Sequence, residues 1–176
     1  MLLAGVRPAF SLSTSMPKEV SAGIIIYKKM KDRDGKIDIK YLLLYHGRGY
    51  WNFAKGKLEQ DERSYEAAIR EVGEETGIAP ESLRVERNFK VADKYIYQWE
   101  GAKIFKIVIF FLAQTLKADI NLSHEHEGYG WFLFRDAQRL LKHSNSKSIL
   151  RQAHDYLRRK NLPSRPANPP RTNPNV

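Results

Sequence analysis

The chain has 176 residues, of which 42% are apolar and 28% charged, and a formal charge of +10 at neutral pH. That length and composition give one domain with short tails and exclude wholesale disorder. The absence of cysteine excludes a disulfide scaffold, a thiolate zinc site and a cysteine nucleophile, and fits a reducing, cytoplasmic setting.

Residues 1–16 are apolar and Ser-rich, with Arg7 as their only charge. They read either as a targeting leader interrupted by Pro8 or as an early start ahead of Met16, and in both cases as a flexible N-terminal segment. Val20–Lys29 is β-branched and predicts a buried strand. The turn Asp32-Arg33-Asp34-Gly35 leads to a second strand, Ile37–Tyr45, and the two form a hairpin. A glycine-rich loop, His46-Gly47-Arg48-Gly49, follows. From Asp61 the period changes: Tyr65, Ala68, Ile69 and Val72 recur at helical spacing, and Gly77 stops the helix. Leu83–Tyr97 and Lys103–Thr115 alternate as two long strands joined near Glu100-Gly101, and Gly130–Phe134 is a further short strand. Two helices close the body, Arg135–Leu141 and Ser146–Arg159, the second burying Ile149, Leu150, Ala153 and Leu157. The longest apolar run, Ile107–Ala113, is far short of the roughly 20 residues of a membrane span, so no membrane partner is expected. The last 19 residues hold five basic side chains, no acid and five prolines, which predicts a disordered basic tail from 161 to 176. The body between the ends is only modestly basic, which suits a polyanionic substrate such as a nucleotide.

The informative segment is Gly56–Ile78. On a helix, Glu74 lies about 60° from Glu71 on one side and Glu75 about 40° away on the other, so three carboxylates share one narrow face. No basic residue follows any of them within four positions. Such a face repels itself, and a divalent cation relieves the cost; oxygen donors without sulfur favour magnesium or manganese over zinc. A solvated acidic helix face is the competing reading.

The same segment resembles the Nudix box, G-x5-E-x7-R-E-U-x-E-E-x-G-U with U aliphatic, at every specified position from Gly56 to Ile78. The resemblance implies an α/β (α+β) fold, a Nudix-type α/β/α sandwich with a mixed central sheet, spanning residues 17–160. It also implies hydrolysis of a nucleoside polyphosphate with Mg2+, or Mn2+, held by Glu71, Glu74 and Glu75. Arg70 would orient the glutamates, Glu62 would support it, and Gly56 and Gly77 would permit the flanking turns. Bound metal would neutralise the phosphates and activate water.

Three further segments are similar to asymmetric diadenosine tetraphosphate hydrolases. Trp51-x-x-x-Lys55-Gly56-x-x-Glu59 matches their lead-in, with Ala54 standing where they have proline. Ser123-His124-Glu125-His126-Glu127-x-Tyr129-x-Trp131 and Lys106-x-Val108 match two more. On that likeness Glu125 joins the metal cluster or acts as general base, His124 or His126 contacts phosphate or positions the loop, and Lys55 and Lys106 meet the phosphate chain. Tyr95, Tyr97 and Trp99 share one strand face, and Tyr95 or Tyr97 is expected to stack an adenine. The expected reaction is diadenosine tetraphosphate to ATP and AMP, by a monomer whose partner is its nucleotide substrate. Pyrophosphohydrolysis of nucleoside triphosphates, attack on an RNA 5′ end, and nucleotide sensing without hydrolysis remain as alternatives.

Overall fold

The computed structural model describes residues 16–31, 33–117 and 119–161. The expected N-terminal segment before Met16, Asp32 of the first turn, and the tail beyond Asn161 lie outside the described residues.

Strand β1 (Lys18–Lys31) is the axis of a seven-stranded mixed sheet, and every residue from Ser21 to Tyr27 is buried. A strand covered on both faces needs apolar side chains in succession rather than in alternation, which is what Ala-Gly-Ile-Ile-Ile-Tyr supplies. On one edge β1 runs parallel to β6 (Ala102–Thr115), from Lys18 opposite Phe105 to Tyr27 opposite Gln114. On its other edge it pairs antiparallel with two strands in turn. Ser21–Ile24 face β4 (Ala54–Lys57), and Tyr27–Lys31 face β2 (Ile37–Tyr45). Strand β5 (Leu83–Trp99) lies antiparallel to β6, while β3 (Trp51–Asn52) and β7 (Gly128–Leu133) pair with β2. The expected hairpin of the first two strands is present. The strands β3 and β4 were not expected: they are two and four residues long, too short to show a period.

Alternation along the sheet makes two cores. Ile25, Tyr27, Leu43, Phe53, Phe110 and Leu112 point to one side, where helices α2 (Phe134–Leu140) and α3 (Ser144–Asn161) bury Ala137, Ile149, Leu150, Ala153 and Leu157. Ile24, Ile26, Leu42 and Leu44 point to the other side, against Ala67, Ala68 and Val72 of α1 (Ser64–Thr76). The three layers are therefore helix, sheet, helix. Helix α1 begins three residues later than expected, and Tyr65 of its predicted apolar stripe stays 45% exposed, its ring edge-on to Phe111. Its end is as expected: Gly77 takes the left-handed conformation (φ 64°) and its N–H donates to the Gly73 carbonyl. Among the described residues no helix is long and apolar enough to cross a membrane.

A register shift in β5 between Val85 and Lys90 carries Glu86 into contact with α3. Its carboxylate accepts Tyr27 Oη at 2.7 Å, Lys160 Nζ at 2.6 Å and Tyr156 Oη at 3.3 Å. Burial pushes the Glu86 pKa up, but the donors from Lys160 and Tyr27 outweigh it and leave the pKa below its usual value near 4.5. A depressed carboxylate stabilises the fold above its unfolded pKa and stops doing so as pH falls through its folded one. Melting temperature should therefore fall on acidification from pH 5 to 3, and Glu86→Gln should flatten that part of the profile. An unchanged slope in Glu86→Gln would remove this cluster from the acid response.

Candidate active site

Arg70 organises the helix face that bears the carboxylates. Its Nε and Nη2 donate to the two oxygens of Glu62 at 2.9 and 3.0 Å, and Nη1 donates to Glu71 and Glu74, each at 3.0 Å. Nη2 also donates to the Lys57 carbonyl at 2.9 Å, which ties α1 to β4. Arg70 stands four residues before Glu74, so the helical charge partner comes from the N-terminal side and not from the C-terminal side. The guanidinium holds the Glu62 pKa below the carboxylate range.

Glu71 and Glu75 lie against β4. A Cβ at Gly56 would fall on the Glu71 carboxylate, so that carboxylate can occupy this place against the strand only over a glycine. The Lys55 N–H donates to Glu75 Oε2 at 3.0 Å, and Glu75 is 7% exposed. Burial raises the Glu71 pKa and pushes that of Glu75 up to about 7, against the opposing pull of the Lys55 N–H and ammonium. The charge of Glu125, an exposed residue, adds a small part to both rises.

Two hydrogen bonds hold the loop that bears Glu125 over the end of α1: Asn121 N–H donates to the Thr76 carbonyl at 3.0 Å and Ser123 N–H to that of Glu75 at 3.1 Å. His126 is buried there, its Nδ1 sharing a 3.0 Å hydrogen bond with Ser123 Oγ and its Nε2 3.5 Å from Glu75 Oε1. Burial lowers its pKa, so the ring is neutral at pH 7. His46 packs edge-on to it at 4.4 Å between centroids, and burial takes the His46 pKa down to about 4. The Nε2 atoms of both rings are buried without a hydrogen-bond partner among the described residues. His124, by contrast, is exposed and does not line the cavity described next.

On the other side of β4, under the N-terminus of α3, lies a cavity of about 340 Å3. Tyr95, Tyr97, Val108 and Phe110 form its sheet wall, Tyr50, Asn52 and Lys55 one rim, and His143 to Ser146 the other. Both Tyr95 and Tyr97 reach it, their centroids 6.2 Å apart; Trp99, at the turn of the ribbon, is 61% exposed and does not. The rim residues Tyr50, Asn52 and His143 had no motif to mark them. They meet because β3 pairs with β2 and because Asn145 Nδ2 donates to Asp93 at 2.7 Å, drawing α3 to β5. Lys106 is 9% exposed and in contact with the Glu19 carboxylate, so its ammonium already has a counter-ion.

The donor set on the α1 side is all oxygen from carboxylates: Glu71, Glu74, Glu75 and Glu125. It suits a hard divalent cation, and a cation would stabilise the two glutamates whose charge burial now disfavours. Among the described residues, no three acidic or histidine side chains stand converged on one point. Arg70 Nη1 bridges Glu71 and Glu74 and balances their charge.

The model of the NUDIX domain matches residues 17–153 of this sequence. The chain belongs to the Nudix family. It is a hydrolase of that family, and its Nudix box is the β4–α1 unit just described. The asymmetrical bis(5′-nucleosyl)-tetraphosphatase of Rattus norvegicus is 32% identical over 142 residues, which cover 78% of this chain and 94% of that protein. The enzyme of the same name from Caenorhabditis elegans is 30% identical over 138 residues, 78% of this chain and 95% of its own length. A crystal structure of a C. elegans Ap4A hydrolase binary complex superposes with a TM-score of 0.68, at 31% identity, over 80% of this chain and 98% of that one. The Nudix fold thus accounts for the expected sandwich, mixed sheet and glutamate helix together.

Proposed function

We propose that this Nudix hydrolase cleaves a dinucleoside polyphosphate, diadenosine tetraphosphate foremost, to ATP and AMP. The observation that carries this reading is the seam formed by β4. A cavity walled by Tyr50, Tyr95, Tyr97 and Phe110 opens on one side of the strand and the carboxylates of α1 lie on the other, with Lys55 and Gly56 between them. A substrate with a base in the cavity would run its phosphates along β4 to the glutamates.

In that reading Tyr95 and Tyr97 offer ring faces to the base, and Lys55 supplies a point charge to the phosphate chain. Glu71, Glu74, Glu75 and Glu125 would hold Mg2+, or Mn2+, which supplies charge neutralisation at the phosphates and a more acidic water. Arg70 fixes the rotamers of Glu71 and Glu74 through Nη1 and is itself fixed by Glu62. His126 Nε2 stands 3.5 Å from the Glu75 oxygen that the Lys55 N–H leaves free, without a hydrogen bond to it. A water oxygen attacks phosphorus, the anhydride P–O bond breaks, and a carboxylate, Glu125 or one of the box, takes the proton.

Anion-exchange analysis of products tests this directly. The panel is diadenosine polyphosphates, nucleoside triphosphates and 5′-triphosphorylated RNA, at matched concentration with magnesium. The expected result is ATP plus AMP from diadenosine tetraphosphate, well ahead of the rest. Pyrophosphate released from a triphosphate or from RNA as the dominant product would overturn the substrate while leaving the family in place.

A further inference from the structure

Glu19 enters β1 on the face that bears the cavity, and nothing in the sequence marks it. Its carboxylate gathers three groups from three strands. Lys106 Nζ of β6 contacts Oε1; Lys57 Nζ of β4 lies 2.6 Å from Oε2, and Tyr97 Oη of β5 donates to the same oxygen at 3.3 Å. The side chain of Glu19 is 17% exposed and that of Lys106 only 11%, whereas that of Lys57 is 71% exposed. Each partner belongs to an element that bounds the seam. Tyr97 lines the cavity, Lys57 ends β4 and lends its carbonyl to Arg70, and Lys106 is two residues from the cavity-lining Val108.

We propose that Glu19 is a counter-ion lock on the phosphate path, which sets how much bare phosphate charge the site accepts. The inference rests on the function proposed above. Two lysines here face a single carboxylate, so a phosphate oxygen reaching Lys106 must either displace Glu19 or lie beside it. Displacement breaks two ion pairs, one of them largely shielded from water, and lying beside it sets like charges together. Either way, a phosphate chain gains little from the lysines unless the rest of the molecule binds elsewhere. A ligand with a base in the tyrosine-lined cavity meets that condition, and an inorganic polyphosphate does not. Glu19 therefore sets specificity: it makes occupancy depend on the nucleoside and suppresses capture of free polyanions.

Calorimetric titration of the full chain with inorganic tripolyphosphate, over a range of salt concentrations, tests this. Glu19→Gln should bind tripolyphosphate about tenfold more tightly than the unsubstituted protein, the size of change that one partly buried charge commonly makes. Its affinity should also fall more steeply with salt, since two lysines are freed. Lys106→Gln added to Glu19→Gln should erase most of the gain. If Glu19→Gln does not fold, Glu19→Met keeps the aliphatic stem, removes both acceptors and carries the same expectation. Equal or weaker tripolyphosphate binding by a folded Glu19 variant, while the unsubstituted protein binds diadenosine tetraphosphate, overturns the lock and reduces Glu19 to a structural ion pair. Failure of the unsubstituted protein to bind diadenosine tetraphosphate would overturn the polyphosphate reading itself, and the lock with it.

Discussion

Glu74→Gln should lower turnover of diadenosine tetraphosphate about a thousandfold while leaving the fold in place. The size follows from what a bound divalent cation contributes to phosphoryl transfer, several kcal/mol, at about 1.4 kcal/mol per factor of ten. The separation of the two effects follows from position. The Glu74 side chain is 58% exposed and its ion pair with Arg70 lies at the exposed end of that network, so replacing it costs the fold about 0.5 kcal/mol or less. Glu71 and Glu75 are less clean targets, because each is packed against β4 and its neutralisation would also change burial energetics. The measurement is kcat at saturating magnesium, together with a thermal melt. Normal turnover by a folded Glu74→Gln protein would remove Glu74 from the site.

Gly56→Ala should lower kcat/KM by about two orders of magnitude. The added methyl would occupy the space of the Glu71 carboxylate, and that side chain must give way, since β4 is pinned to β1 on one edge and by Lys57 to Arg70 on the helix side. Displacement of a catalytic group by about 1 Å commonly costs a hundredfold. Glu71 is the far end of a flexible chain, so the protein folds, and its melting temperature should move by a few degrees at most. Comparison of kcat/KM with the melt checks this. A fully active Gly56→Ala protein would show that Glu71 has room to reach its working position by another path.

What the sequence reveals of this protein follows how local each feature is. Helix α1 is legible because everything that defines it lies within 23 residues: the spacing of Ala68, Ile69 and Val72, the glutamates, and Gly77 at a left-handed stop. Strand β1 is legible because burial on both faces leaves a continuous β-branched run. Strands β3 and β4 are not legible, since Trp51–Asn52 and Ala54–Lys57 are strands only by virtue of their partners on β2 and β1. The parallel register of β1 with β6 joins residues 87 apart and leaves no local trace. The same division runs through the candidate site. Arg70 and its glutamates stand in one motif, whereas Tyr50, Asn52 and His143 come together from separate segments and have no spacing to betray them. Lys106 is instructive: a lysine read as free to meet phosphate is found already matched with a carboxylate whose strand begins the domain. Charge alone gave no way to foresee that pairing.

The strand β4 has one consequence of a different kind. It divides the molecule so that the groups suited to bond cleavage stand on the α1 layer, and the walls suited to choosing a base stand on the α3 layer. Asn52, His143 and Asn145 line the cavity on the α3 side, whereas Tyr50 reaches back towards the glutamates: its ring packs on His46, His46 packs on His126, and His126 stands 3.5 Å from Glu75. Under the proposed function, nucleotide preference would then be open to retuning at Asn52, His143 or Asn145 while the glutamate helix across the strand is kept unaltered.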